Sequence, residues 1–285
     1  MSRPPETPTI VRHASVREFL DRASDYLGER ETEHNLLLGV ALALRDREPD
    51  DAQVWLTVEQ NAAVVGAVMR TPPHRPALSR MPADAASAVA GHFRTIGPPV
   101  SGVFGPAEEV RQFSDDYCEP GLHQTRLKLR LWLYRCDSPP PAPTVEVTLR
   151  SAVRGDQDQV RELLAGFHRD EVSPPPEDLQ AEAGRVIERG AVVAVDNADQ
   201  PVCLAAIARR SPTGVVVAPV FTVTEQRRRG LASACVAELT RRQFDQGVSF
   251  CCLFANQQNE TANSVYQKLG YSRVCEFEWW EFDDV

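Results

Sequence analysis

The stretch VWLTVEQNAAVVGAVMR (54–70) is an apolar run, a polar turn and a second apolar run, and VVAVDNADQPVCLAAIAR (192–209) repeats the plan. Such patterning predicts two β-hairpins, turning at QNAA and at NADQ. Helix-spaced apolar residues precede each hairpin: VREFLDRASDYL (16–27) and HNLLLGVALAL (34–44) before the first, QDQVRELLAGF (157–167) and PEDLQAEAGRVIER (176–189) before the second. Strand-rich stretches close both halves, LKLRLWLYRC (127–136) and SRVCEFEWWEF (272–282). The prolines of DSPPPAPT (137–144) make a stiff, extended connector between them. The pattern predicts a duplicated α/β unit, with one domain over 1–136, a linker over 137–144 and a second domain over 145–285.

The second half is the more informative. TGVVVAPVFTV (213–223) is a β-rich run broken by Pro219, which predicts an edge, a bulge or a splayed strand. RGLASACVAELTRRQF (229–244) predicts an amphipathic helix, with Leu231, Cys235 and Leu239 on one face and Gly247 ending it. A short buried strand follows at VSFCCLFA (248–255), then a helix in NETANSVYQKLGY (259–271) stopped by Gly270.

Composition narrows the classes. At 285 residues the chain holds one large or two ordinary domains, and 42% hydrophobic with 25% charged content is that of a globular protein. Seven cysteines, an odd number with no C-x-x-C spacing, argue against a disulfide framework or a zinc ribbon and for a reducing, cytoplasmic setting. No histidine pair has metal-ligand spacing, so no metal is expected. No run of about 18 apolar residues is present, so no membrane span is expected. A formal net charge of -9 argues against nucleic-acid binding, which leans on phosphate neutralisation. Against that acidity, Arg227, Arg228 and Arg229 stand together before Gly230, where a strand hands over to a helix. A helix start presents unpaired N–H groups and a partly positive dipole end; a glycine there admits close approach, and arginines add forked donors. That combination suits a phosphate or pyrophosphate. Its plain alternative is a solvated basic first turn without a ligand.

Arg227-x-x-Gly230-x-Ala232 resembles the R/Q-x-x-G-x-G/A phosphate turn of the GNAT N-acetyltransferase superfamily. The preceding VFTVTE (220–225) resembles that family's coenzyme-binding strand. Asn259, Ala262, Val265, Tyr266, Gly270 and Tyr271 resemble its N-x-x-A/S-x-x-L-Y-x-x-x-G-F/Y pattern. The likeness covers roughly 145–282; the first half shares only the order of elements and lacks the turn, as a degenerate copy would. The resemblance implies an α/β (α+β) fold of tandem GNAT-like domains. Each would be a mixed, mostly antiparallel twisted sheet flanked by helices, with a splayed coenzyme strand in the second.

It also implies acetyl-CoA as co-substrate and direct transfer of the acetyl group to a small-molecule or peptide amine. The amides of Arg228, Arg229, Gly230, Leu231, Ala232 and Ser233 would cradle the pyrophosphate, with Arg227 adding charge. Backbone groups of Phe221, Thr222 and Val223 would pair with the pantetheine arm, and Asn259 would contact it. Tyr266 is the expected general acid, because a phenol stays protonated at neutral pH and can give its proton to a leaving thiolate. Glu225 and the group His168, Asp170 and Glu171 are the candidates for a base. Cys251 and Cys252 face opposite sides of a strand and read as core rather than as a nucleophile. SPPP (173–176) reads as a loop break bordering an acceptor pocket, and EFEWWEFDDV (276–285) as a charge-protected edge strand with a bulge at Trp279-Trp280, or as an acidic aromatic wall for a cationic amine. The alternative to an enzyme is a non-catalytic acyl-CoA-binding or interaction protein; homodimerisation is left open.

Overall fold

A computed structural model describes residues 7–95, 99–118, 123–143, 145–171 and 176–284. Residues 172–175, with most of the SPPP segment, and Thr144 of the connector lie outside them. The first ten elements among the described residues are β1 (Thr9–Arg12), α1 (Val16–Glu29), α2 (Asn35–Leu44), β2 (Val54–Gln60), β3 (Ala63–Arg70), β4 (Ala77–Leu78), α3 (Ala83–Thr95), β5 (Gly102–Pro106), α4 (Ala107–Tyr117) and β6 (His123–Cys136). The next ten repeat their order: β7 (Thr148–Ser151), α5 (Gln157–Asp170), α6 (Leu179–Glu188), β8 (Val192–Val195), β9 (Pro201–Arg210), β10 (Gly214–Thr222), α7 (Leu231–Asp245), β11 (Phe250–Asn256), α8 (Glu260–Lys268) and β12 (Ser272–Asp284). Two compact units result. Unit 1 is Met1–Leu133 with Phe254–Gln258 and Val274–Val285; unit 2 is Tyr134–Leu253 with Asn259–Arg273. A single cut at the proline-rich connector therefore does not separate them.

In unit 1 the strand order begins β1-β2-β3-β4-β5-β12, and the hairpin β2–β3 turns at Asn61 and Ala62, both with positive φ. Alternate residues of β2 face opposite layers. Val54, Leu56 and Val58 pack under α3 and α4 with Val89, Phe93, Val110 and Phe113. Trp55 packs under α1 and α2 with Phe19, Leu27, Leu37 and Leu38. Ser15 starts α1, its Oγ accepting from Glu18 N–H at 3.2 Å while Glu18 Oε2 accepts from Ala14 N–H at 3.0 Å, so two otherwise orphaned donors are satisfied.

The C-terminal strand differs from both sequence readings. β12 runs between β5 and β6 and is no edge; its pairing with β5 is regular from Phe277↔Pro106 to Glu281↔Gly102, with no bulge at the tryptophans. Its charges are neutralised inside the unit. Glu278, fully buried, accepts from Arg111 at 2.7 Å, Arg130 at 2.9 Å and Trp280 Nε1 at 2.8 Å. Burial alone would raise its carboxyl, and these donors hold it below the usual glutamate range. Glu281 pairs with Arg126, and the Arg75 guanidinium lies 3.6 Å over the Trp279 ring. No acidic aromatic wall is left for a substrate amine.

Unit 1 also carries a buried histidine held in one tautomer. His34 Nδ1 donates to Leu27 O at 3.0 Å and its Nε2 accepts from Arg80 N–H at 3.2 Å, so the folded state requires the neutral ring. Burial pushes its pKa down to about 4 from 6.5. The unfolded chain then binds the extra proton below about pH 6.5, so stability is present above that pH and is lost as pH falls toward 4. The urea midpoint is expected to drop between pH 7 and pH 5 by the equivalent of about 2 kcal/mol; a midpoint that stays level over that range would contradict this.

In unit 2 the order is β11-β10-β9-β8-β7. Helices α5 and α6 cover one face through Val160, Leu163, Leu164, Ala183 and Val186, against Val193, Val195, Leu204 and Ala206. The intervening positions Val192, Ala194, Cys203, Ala205 and Ile207 are equally buried, and α7 packs on β8, β9 and β10. Leu231, Cys235 and Leu239 of α7 are all buried, as their spacing predicts. Both faces of the sheet are thus covered, which is why Cys251 and Cys252 are both buried, although they point opposite ways.

Candidate active site

The site grows from the end of β10. Parallel pairing of β10 with β11 covers only Gly214↔Phe250 to Val216↔Cys252. Beyond it β10 continues to Thr222 against β9 alone, through register shifts on both sides of Val217 around Pro219. The strands part where the proline predicts a splay, and one edge of β10 is left without a β partner. A 3-10 turn (Thr224–Gln226) follows, then Arg227 in extended conformation, Arg228 at φ 62 and Gly230 at φ 79, the N-cap of α7. Gly230 is needed twice over: the left-handed φ disfavours any side chain, and a Cβ there would come within 2.8 Å of Val145 Cγ1.

The helix start is open. Gly230 supplies no side-chain cap, and no acidic residue stands in the first turn of α7. The N–H groups of Leu231, Ala232 and Ser233 precede the first intrahelical bond, Ala234 N–H to Gly230 O at 3.0 Å. A 15-residue helix with an uncapped, glycine-led start and basic flanks is electrostatically suited to an anion.

The three arginines are not equivalent. Arg227 Nε donates to Thr222 O at 3.0 Å and its Nη2 to Asp170 at 2.6 Å, with the guanidinium 5.4 Å from the Phe221 ring centre. Arg229 is bonded to Gln226. Arg228 is exposed and makes no side-chain bond among the described residues. Of the backbone groups expected to meet an extended ligand arm, two are already engaged: Thr222 O by Arg227, and Val223 N–H by Val202 O at 3.0 Å. The Phe221 ring packs against α5 so closely that a Cβ on Gly166 would lie 2.4 Å from it.

α8 brings up the tyrosine. Asn259 is its N-cap, Oδ1 accepting from Ala262 N–H at 3.0 Å, while Asn259 O accepts from Asn263. Tyr266 is 9% exposed and its ring lies 6.1 Å from both Tyr134 and Tyr271. Those two phenols have partners: Tyr134 donates to Asn263 Oδ1 at 2.9 Å, and Tyr271 meets Thr240 at 2.7 Å. The Tyr266 hydroxyl has no hydrogen-bond partner among the described residues. Burial first, then the charges of Glu171, Cys203 and Tyr134, push its pKa well above the usual tyrosine value. The other residues considered for proton transfer scatter. Glu225 is exposed on the 3-10 turn; His168 is depressed by burial, with Glu182 opposing; Asp170 is tied to Arg227.

Unit 1 shows why its copy of the turn is different. After β4 the chain reads Ser79-Arg80-Met81-Pro82 before α3, so a proline stands where unit 2 has Gly230. The carboxylate of Glu109, buried on α4, accepts from Met81 N–H at 3.2 Å and from Arg80 Nη1, while Arg80 Nε donates to Glu33 at 2.6 Å. A protein carboxylate satisfies the donors that an external anion would otherwise meet. Sequence reasoning missed this, together with α3 and α4, although Ala85, Val89 and Phe93 carry a legible helical spacing.

Among the described residues no group of His, Cys, Asp and Glu is arranged to hold a metal ion, and no helix is long and apolar enough to cross a membrane. Residues 197–280 match the family model described as FR47-like protein. No curated protein matches the chain. Solved structures do. An acetyltransferase of the GNAT family from Colwellia psychrerythraea aligns over 97% of this chain and 100% of its own, with TM-score 0.59 and 12% identity. A GCN5-related N-acetyltransferase from Sphaerobacter thermophilus aligns over 98% and 96%, with TM-score 0.62 and 14% identity. A tandem GNAT protein from the clavulanic acid biosynthesis pathway aligns over 97% and 98%, with TM-score 0.55 and 13% identity. At such identities the likeness establishes the fold. The chain thus carries the GNAT fold in tandem, with its first copy degenerate and an FR47-like segment in its second.

Proposed function

We propose that unit 2 is an acetyl-CoA-dependent N-acetyltransferase acting on a small-molecule or peptide amine. The observation that carries the reading is the parted β10–β11 pair ending in an uncapped glycine turn with a free arginine, Arg228. Acetyl-CoA would fit this cradle: its pyrophosphate would meet the N–H groups of Gly230 to Ser233, and its extended arm the unpaired edge of β10. Bound there, it supplies an activated thioester. The chain's own part is to hold that thioester beside Tyr266 and to move protons. Tyr266 Oη donates its proton to the departing sulfur; a phenol raised by burial and nearby negative charge keeps that proton at neutral pH. The hydroxyl supports this role in that it is bonded to no other group among the described residues, whereas those of Tyr134 and Tyr271 are engaged.

Calorimetric titration with acetyl-CoA tests the reading. Binding in the micromolar range is expected for the wild type and should be lost, by about 100-fold or more, in Arg228→Glu/Gly230→Glu, where two carboxylates meet the phosphates. No binding to the wild type would turn the assignment to an interaction protein. Binding without turnover of any amine would favour an acyl-CoA sensor.

A further inference from the structure

Gly166 and Asp170 stand four residues apart on α5 and so share one face of that helix. The face meets the end of β10 twice. The Phe221 ring packs on Gly166 so closely that a Cβ there would lie 2.4 Å from its Cζ. The Asp170 carboxylate accepts from Arg227 Nη2 at 2.6 Å. Arg227 Nε donates at 3.0 Å to the carbonyl of Thr222, the last residue of β10, and the guanidinium lies 5.4 Å from the Phe221 ring centre. One planar side chain thus joins a strand end, an aromatic ring and a helix end, which a guanidinium can do and an ammonium cannot. Resting on the acetyltransferase reading above, we propose that Arg227 and Asp170 are a positioning pair rather than phosphate contacts. They clamp the C-terminal end of α5 to the tip of β10, so that the strand whose free edge takes the coenzyme arm keeps one position.

The division of labour among the arginines supports the clamp. Two donors of Arg227 are committed to Thr222 and Asp170, whereas its neighbour Arg228 is exposed and makes no side-chain bond among the described residues, which leaves Arg228 for a phosphate. Unit 1 carries a link of the same kind without the glycine turn. There Arg80 Nε donates to Glu33, between α1 and α2, at 2.6 Å, in a turn that has Pro82 in place of a glycine. An arginine present in the copy that lacks the phosphate turn serves the chain rather than an anion. The pair in unit 2 is also half open to water, Arg227 being 40% and Asp170 49% exposed. Such pairs add little to stability, so the effect of this one falls on position.

The test uses the full chain, acetyl-CoA and the primary amine turned over fastest in a panel of diamines, amino acids and peptides. Arg227→Met and Asp170→Asn should each lower kcat at saturating acetyl-CoA by about 10- to 100-fold, with the calorimetric Kd for acetyl-CoA and the melting temperature little changed. Arg227→Lys keeps the charge and loses the fork, so it should fall as far as Arg227→Met. The Arg227→Met/Asp170→Asn double variant should be no slower than Arg227→Met alone, because both changes remove one link. Arg228→Met should instead weaken acetyl-CoA binding. Wild-type kcat in Arg227→Lys, losses that multiply in the double variant, or acetyl-CoA affinity lost in Arg227→Met would overturn the clamp and leave the acetyltransferase reading in place. An unchanged kcat in Asp170→Asn, the milder variant, would be enough to do so. A wild type that binds acetyl-CoA and acetylates no amine of the panel, or that does not bind it, would overturn both.

Discussion

A chain that ends at Arg273 should leave unit 1 unfolded while most of unit 2 is still present. The deleted residues, Val274–Val285, belong to unit 1 although they lie at the far end of the sequence. They supply Phe277 and Phe282, exposed by 2% and 5%. Phe282 stacks 5.4 Å from Tyr117 and 6.4 Å from Phe113, and Phe277 lies 5.5 Å from Phe104. Truncating one buried phenylalanine costs about 3–5 kcal/mol, so losing both approaches the whole stability of an ordinary domain, about 5–15 kcal/mol. Glu278 goes as well, leaving Arg111 and Arg130 without the carboxylate they share. β5 loses its antiparallel partner at the same time. Hydrogen exchange should show unit 1 amides losing protection in the truncated chain, and a 1–136 fragment should behave as an unfolded polymer. A 1–136 fragment with a cooperative melt would refute the assignment of β12 to unit 1.

Tyr266→Phe should lower kcat by about 100- to 10,000-fold and leave acetyl-CoA affinity and stability where they were. The ring stays, with its neighbours Tyr134 and Tyr271. The hydroxyl that goes has no partner among the described residues, so no buried acceptor there is orphaned by its loss. Because burial and neighbouring negative charge raise this phenol, the wild-type rate should show no basic limb from its ionisation through the physiological range. Stopped-flow release of free thiol, read beside a calorimetric titration, separates the outcomes. A fall in affinity matching the fall in rate would make Tyr266 a packing residue.

Much of this was legible in the residues. Both hairpins form at the predicted turns, because alternation and the short asparagine-containing turns at 61–62 and 197–200 leave the chain little choice. The splay at Pro219 and the glycine turn were equally readable, since each depends on one residue with a special backbone. What stayed hidden depends on distant partners. Nothing local in EFEWWEF reveals that Glu278 is buried between two arginines more than 140 residues upstream. For the same reason the strand could be read as an edge. Asp170 looked like part of a solvated helix end, because only the fold brings Arg227 to it.

The placement of β12 also bears on synthesis. The ribosome makes β1 to β6 first, yet the strand that completes their unit follows roughly 140 residues later, on the order of ten seconds of elongation. Through that interval Phe113 and Tyr117 lack their final cover, and one side of β5 stays open to other chains. The half made first is therefore the half that finishes second, and dependence on a chaperone should fall on unit 1 rather than on unit 2.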